Sequence, residues 1–450
     1  MFSTYNPSNL QKISEYQYID TTEIENIIQK SNSVFMQWGK NSIAERFNFI
    51  KTLINSLTKN KDLLAKTASR EMGKPLQQSA AEIDKCMILC QFYLQNADFF
   101  LKSNKINTDG TEGYVNYEPL GVILGVMPWN FPYWQVFRFA IPTIIAGNTV
   151  VLKHASSVAG CAQLIEHVFA EAGFPDGVYK NLLIEGKQVK EVIEHPHIKA
   201  VSLTGSEKAG ASVASIAAAK IKKSVLELGG SNGLIVLKDA DLKTAIPEAV
   251  KARFQNTGQS CIAAKRFFVH SSVYKEFLEE FTKQVAALKM GDPMQHDTYI
   301  GPMARVELAE DIEKQVNKSV AMGAKIVLGG TRHNAFYTPT ILTNVTPDMP
   351  VFNEEVFGPA VPVIPFDTFE EVVALSNNSD FGLGVSIFTT DIDAIKQKVH
   401  LFEEGAVFIN ALVKSDPALP FGGVKRSGFG RELAENGIKE FVNVKTVYIK

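Results

Sequence analysis

Gly121-Val122-Ile123-Leu124-Gly125-Val126-Met127-Pro128-Trp129-Asn130-Phe131-Pro132 is an uncharged apolar run that stops at a polar loop flanked by prolines. A run this short and this apolar predicts a strand buried on both faces, as in a parallel sheet. Such a sheet needs helices over both of its faces, and the loop at the carboxyl end of a buried strand is where α/β proteins gather their chemistry. The sequence downstream supplies the rest of the layer. Strand-like runs at 149–153, 179–184, 200–203 and 224–228 alternate with helical patterns at 135–146, 159–172 and about 207–219, which is the signature of a doubly wound α/β unit.

Upstream, residues 21–100 carry apolar side chains at helical spacing, including Ile24, Ile27 and Ile28, then Phe47, Ile50, Leu53 and Ile54. They predict a bundle of amphipathic helices broken once, at Gly73-Lys74-Pro75, and ended by a polar stretch over 103–113. Residues 114–117 alternate as a short strand. Beyond Gly229-Gly230 a second α/β layer is expected, with strands at 234–237, 267–270, 325–328 and 361–366. Residues 441–449 alternate as an edge strand. With 450 residues the chain exceeds one ordinary core. The expected division is a cofactor-binding domain over 1–102 and 119–228, a catalytic domain over 229–425, and a small β oligomerisation element over 103–118 and 426–450.

Composition narrows the function classes. A net charge of -2 with 45% hydrophobic residues indicates neither disorder nor nucleic acid as the main ligand. No signal-peptide core and no run of about 18 uncharged apolar residues is present, so no membrane role is expected and a cytoplasmic protein is. Four cysteines (Cys86, Cys90, Cys161, Cys261) in so long a chain fit a reducing compartment rather than a disulfide framework. Cys86 and Cys90 share a helix face with no further ligand near them in sequence, so they read as packing residues and no metal site is expected.

Candidate chemistry centres on Asn256-Thr257-Gly258-Gln259-Ser260-Cys261, which leads into the apolar Phe267-Phe268-Val269. Taken alone, a lone cysteine such as Cys261 is more often a small core residue than a catalyst. As a nucleophile it would need a donor for the oxyanion it creates, and the Asn130 side-chain amide suits that task unless it merely bonds its own turn. Glu227, beside Leu228-Gly229-Gly230, would activate water if the glycines let it face a cleft; otherwise it is an ion-paired strand residue. Lys153, after a buried strand, would bind a ribose hydroxyl or a phosphate, or else be a solvated strand end. Thr204-Gly205-Ser206 opens a small-residue helix whose first amides offer a seat for a pyrophosphate.

Together these stretches resemble the aldehyde dehydrogenase superfamily across nearly the whole chain. The match runs through 127–132, Val151-Leu152-Lys153, Leu203-Thr204-Gly205-Ser206, 227–230, 256–261, Glu354-Glu355-Val356-Phe357-Gly358-Pro359 and 420–423. Within it the chain is most similar to the short bacterial NAD(P)-dependent succinate-semialdehyde dehydrogenases, notably over 128–138 and in Lys153-His154-Ala155-Ser156. The resemblance implies an α/β aldehyde dehydrogenase fold with a Rossmann-like cofactor domain. It implies that Cys261, as a thiolate, attacks the aldehyde, that Asn130 and the Cys261 N–H hold the oxyanion, and that Glu227 activates the water that hydrolyses the thioester. Trp129, Lys153, Ser156, Gly205, Ser206, Glu355 and Phe357 are the implied cofactor contacts. Many NAD-preferring relatives carry a glutamate where Ser156 stands, and its carboxylate would repel the 2'-phosphate of NADP. NADP is therefore expected to be accepted and preferred over NAD.

For the substrate, Arg138 matches an arginine that holds a carboxylate in related semialdehyde dehydrogenases, while Gln255 stands where some relatives have a second. Ser415, with Lys414, is placed to help, and Trp134, Phe131 and Phe421 to form apolar walls. Ala263 occupies the place of the second cysteine that forms a switch disulfide in some relatives. Expected partners are a small-molecule aldehyde and further copies of the chain, as homodimer or homotetramer. Three alternatives stay open at this point: a broad-specificity aliphatic or aromatic aldehyde dehydrogenase, a thiol hydrolase without redox cofactor, and a non-catalytic protein. The hydrolase would need one of the imidazoles, such as His154, His195, His197 or His270, beside Cys261.

Overall fold

In the computed structural model, which describes residues 1–450, Val122–Met127 is a central strand of a six-stranded sheet. The spatial order is Gly428–Phe429, Lys223–Glu227, Ile198–Thr204, Val122–Met127, Thr149–His154, Tyr179–Asn181, and only the first strand is antiparallel. From Val122–Met127 the chain winds outward through Thr149–His154 and Tyr179–Asn181. It then returns to lay Ile198–Thr204 and Lys223–Glu227 on the other side. The winding reverses between Val122–Met127 and Ile198–Thr204, so the loops leaving their carboxyl ends part and open a crevice. Over this sheet lies Trp134–Ile145, and all twelve of its residues are buried, as an apolar circumference demands.

Three helices make up the expected N-terminal bundle: Thr21–Trp38, Ile43–Met72 and Leu76–Phe100. The single expected break is in fact two. Ile43–Met72 begins with a capping box between Ser42 and Glu45 and ends on Gly73 in the left-handed conformation at φ 77°. Leu76–Phe100 packs against both Ile43–Met72 and Trp134–Ile145, and its residues Gln78, Ala81, Glu82 and Lys85 line a cavity beside them. Ahead of the bundle, Phe2–Tyr5 and Lys12–Tyr16 form a hairpin that the apolar periodicity did not reveal.

The second layer is a seven-stranded sheet ordered Lys325–Leu328, Thr340–Thr343, Ala360–Phe366, Ala264–His270, Asn232–Val236, Val385–Phe388, Val407–Ile409, antiparallel only at its first pair. Thr340–Thr343, Val385–Phe388 and Val407–Ile409 were not among the predicted strands. Asn104–Lys105, Glu112–Pro119 and Val442–Ile449 form the small antiparallel sheet, with Val442–Ile449 at an edge. Residues 426–439 do not belong to it, contrary to the expected boundary. Gly428–Phe429 pairs with Leu226 and Glu227, and Ala434–Lys439 packs on Leu76–Phe100 and Trp134–Ile145. No helix is long and apolar enough to cross a membrane.

Candidate active site

Cys261 lies between the Leu242–Phe254 helix and the Ala264–His270 strand, and the backbone leading to it is strained. Asn256, Thr257 and Gly258 have φ of 54°, 55° and 73° in succession. Left-handed backbone is costly for a β-branched residue, and Thr257 is held there by its hydroxyl. The hydroxyl accepts the Gly301 N–H at 3.1 Å and donates to the Gly301 carbonyl at 3.2 Å. At 258 a Cβ would lie 2.5 Å from the Gly358 carbonyl oxygen, so glycine is required. Asn256 Nδ2 donates to the carbonyls of Asn130 at 2.8 Å and Gln259 at 3.1 Å, and Asn130 Nδ2 donates to that same Gln259 carbonyl at 3.1 Å. These bonds stitch the cysteine loop to the loop after Val122–Met127. Beneath it, the fully buried Lys265 donates to the Ser260 and Cys261 carbonyls, both at 2.8 Å, and pairs with Glu355 at 3.1 Å.

Two cavities meet at Cys261. The first, of about 380 Å³, follows the crevice where the winding of the six-stranded sheet reverses. Trp129 and Asn130 leave one strand end, Gly205 and Ser206 the next, and Glu355 and Phe357 face them. Trp129 and Phe357 pack edge to face at 5.9 Å. Ser206 caps the Glu207–Ala219 helix, so free backbone amides open onto the cavity. Glu355 is aimed by the Gly230 N–H at 3.0 Å, and a Cβ at Gly229 would come within 2.6 Å of its carboxylate. Ser156 lines an adjoining cavity of about 370 Å³, and Arg305 borders both. Lys153 is on the wall of neither and has no ion pair.

The second cavity, of about 260 Å³, has Phe131, Trp134 and Phe421 as apolar walls and Arg138, Ser415 and Lys85 as polar ones. Arg138 reaches the wall but is not free. Its Nε is ion-paired with buried Glu432, its Nη2 lies 3.4 Å from the Thr204 hydroxyl, and its guanidinium stacks 4.5 Å from the Phe421 ring centroid. Ser415 Oγ accepts from Lys85 Nζ at 2.7 Å and from Trp134 Nε1 at 2.9 Å. Glu82 anchors the start of Trp134–Ile145 by accepting the Tyr133 and Trp134 N–H groups, both at 2.8 Å, while pairing with buried Lys74.

Glu227 ends its strand behind these walls, 2% exposed, with neither carboxylate oxygen hydrogen-bonded. A Cβ at Gly422 would lie 2.7 Å from Glu227 Oε1, so that glycine leaves the carboxylate its room. Among the histidines considered as bases, His154 is buried, with Nε2 2.8 Å from the Pro132 carbonyl and Nδ1 accepting the Ala155 N–H. None lines either cavity at Cys261.

The sequence profile of the Aldehyde dehydrogenase family matches residues 1–447. The chain belongs to the aldehyde dehydrogenase family. It is 44% identical to the succinate semialdehyde dehydrogenase (NAD(P)+) Sad of Escherichia coli, over 98% of this chain and 96% of that one. It is 42% identical to a Mycobacterium tuberculosis succinate-semialdehyde dehydrogenase (NADP+), over 99% of each. A crystal structure of the succinic semialdehyde dehydrogenase of Streptococcus pyogenes with NADP+ superposes with a TM-score of 0.97 at 35% identity, over 100% of each chain.

In this aldehyde dehydrogenase the electrostatics of the pair Cys261 and Glu227 differ from the expected thiolate and carboxylate. Burial pushes the Cys261 thiol up to about 11, against the pull of Lys265 and Arg138, so the resting sulfur is protonated at neutral pH. Burial, and then the neighbouring Glu432, raise Glu227 well above the usual carboxylate range, with Arg138 opposing. The thiol thus rests protonated, and burial biases the Glu227 carboxyl toward its neutral form. Sequence reading gave no role to Lys85, Asn256, Lys265 or Glu432, the last two being partners of residues it had named. Lys85 carried no linear signal beyond its place on an amphipathic helix.

Proposed function

We propose that the protein oxidises succinate semialdehyde to succinate with NADP+, using NAD+ less well. The observation that carries this reading is the position of Cys261 where two cavities join, one a crevice with a helix N-terminus, the other apolar-walled with cations on its rim. The relatives' names point the same way. The residues of the crevice fit a nicotinamide dinucleotide: Gly205 and Ser206 for the pyrophosphate, Glu355 for a ribose, Trp129 and Phe357 as apolar packing. Position 156 itself carries no carboxylate to oppose a 2'-phosphate, and Arg305 adds a cation to the wall shared with the adjoining cavity; of the two acids lining that cavity, Glu71 is occupied by the Gly160 and Cys161 N–H groups and Glu307 stands two residues from Arg305. Lys153 is the expected ribose ligand from the neighbouring strand end.

When bound, the cofactor supplies the hydride acceptor. Cys261 loses its proton to solvent water and bonds to the aldehyde carbon as the C=O π bond opens, the oxyanion is met by the Asn130 amide and the Cys261 N–H, and departure of the hydride from that carbon would leave a thioester on Cys261. Glu227, once ionised, takes a proton from the water that opens the thioester, giving the carboxylic acid. Phe131, Trp134 and Phe421 enclose the short aliphatic chain, and Arg138 and Ser415 lie toward its carboxylate end. We further infer a homo-oligomer joined through the free edge of Val442–Ile449, where Val444, Tyr448 and Ile449 are exposed. All four cysteines are free, as suits a cytoplasmic enzyme.

Steady-state kinetics on an aldehyde panel with NADP+ and NAD+ in parallel tests this. Expected are kcat/KM values for succinate semialdehyde at least ~10-fold above those for butanal, and higher with NADP+ than with NAD+. An NAD+ advantage of ~10-fold or more overturns the cofactor reading, and equal rates for the two aldehydes favour a broad-specificity enzyme. No cofactor reduction with any aldehyde overturns the whole proposal.

A further inference from the structure

We infer that Lys85, on the helix Leu76–Phe100, is the cation that binds the substrate's carboxylate, with the Ser415 hydroxyl as its hydrogen-bonding neighbour. The inference rests on the reading above that the substrate is an aldehyde bearing a carboxylate. A census of charges around the second cavity leads to it. Arg138 is matched by Glu432, Lys414 by Asp416 at 3.2 Å, and Glu82 by Lys74 together with two backbone N–H groups. Lys251 is exposed at the mouth. Lys85 alone is drawn in from solvent with no carboxylate in ion-pair range; its contacts are the Ser415 hydroxyl at 2.7 Å and the face of Trp134 at 4.0 Å.

Both contacts suit a cation that waits for an anion. An ammonium withdrawn from water and given only neutral partners is poorly stabilised, and an arriving carboxylate restores what it lost. Burial, followed by the nearby Arg138, lowers Lys85 to about 7, in keeping with an unsatisfied charge. Trp134 holds the ammonium over its ring face, and Ser415, which accepts from both Lys85 and Trp134, keeps its own hydroxyl hydrogen to donate into the cavity. A carboxylate there would accept from Lys85 and Ser415 together, with Phe131, Trp134 and Phe421 along the methylenes that separate it from Cys261. The Arg138 guanidinium, already committed to Glu432, acts as background field rather than as the partner. Gln255, which leaves an arginine pair incomplete, is then no deficiency, because the second positive charge comes from another helix.

The test compares wild type, Lys85→Met, Lys85→Gln and Lys85→Arg with succinate semialdehyde and butanal. The two neutral variants are expected to lower the ratio of kcat/KM for succinate semialdehyde over butanal by ~10- to 100-fold, chiefly through KM. Lys85→Arg should recover part of it. Competitive inhibition of butanal oxidation by succinate should weaken by ~10-fold or more in the neutral variants. Turnover of butanal reports folding, and either neutral variant suffices if the other is insoluble. A wild type that prefers succinate semialdehyde, with neutral variants that keep the ratio and the succinate affinity, overturns the role of Lys85 and leaves the proposed function standing. A wild type with no preference and no inhibition by succinate overturns both.

Discussion

Glu227 sets stability against use within a single side chain. Its carboxyl is buried, unbonded, and faced by a second buried acid, Glu432. The folded state therefore holds this proton more tightly than the unfolded chain does. Its raised value means that stability is present below the ordinary carboxylate range and is lost as pH climbs toward the folded value. Glutamine has no such loss. Glu227→Gln is expected to raise Tm relative to wild type at pH 8 while lowering turnover by ~10²- to 10⁴-fold, the usual worth of a general base. In wild type, kcat should climb with pH as the carboxyl ionises, and that limb should vanish in the variant. Thermal melts and kcat profiles check both; a variant that melts lower than wild type at pH 8 would mean that Glu227 is charged and paired in the fold. The sequence marked Glu227 beside its glycines but carried no sign of its raised proton affinity, which depends on burial and then on Glu432, some two hundred residues on in the chain.

At the scale of elements, the cysteine loop shows how far a linear reading reaches. In sequence the glycine at 258 allows a tight approach of backbone to a ligand, but in the fold it is another segment's backbone that comes close. Which backbone approaches, that of Gly358, is set by the neighbouring Ala360–Phe366 strand. Gly258→Ala joins a steric overlap to a left-handed φ, so a loss of at least ~1 kcal/mol is expected. Because Cys261 is three residues on, kcat should fall by ~10-fold or more, as small misplacements of a reacting group do. Denaturant melts and single-turnover rates measure the two effects; a variant with wild-type stability would show that Gly358 can yield. The Leu76–Phe100 helix carries the opposite lesson. Its spacing announced a helix, yet nothing local distinguished Lys85, which lines a cavity, from lysines that face water.

Across the whole molecule, the two sheets meet end to end. Asn130, Gly205 and Glu227 stand at carboxyl ends of strands of the six-stranded sheet, where α/β chemistry is expected. Cys261, Glu355 and Phe357 instead precede the strands Ala264–His270 and Ala360–Phe366 of the other sheet. The site exists only because one sheet's strand ends face the other's strand starts. A second whole-molecule expectation concerns assembly. If copies join through the Val442–Ile449 edge, replacing exposed Val444 and Tyr448 together with glutamate should lower the mass measured by light scattering. An unchanged mass would place the interface elsewhere.

The α/β class, the family, most strands of the first layer, and Cys261, Asn130 and Glu227 as candidates are legible along the chain. Those features are written in local periodicity, in turn residues, and in motifs that lie within a few positions of one another. The folded arrangement was needed to find that Arg138 is spent on Glu432, that Lys265 underlies the cysteine loop, and that Lys85 stands unpaired beside Ser415. It also decided that burial holds the Cys261 thiol protonated and pushes the Glu227 carboxyl well above the usual range. The physical reason is that burial and charge pairing are sums over neighbours from separate segments, and those neighbours are assigned only when the chain closes on itself.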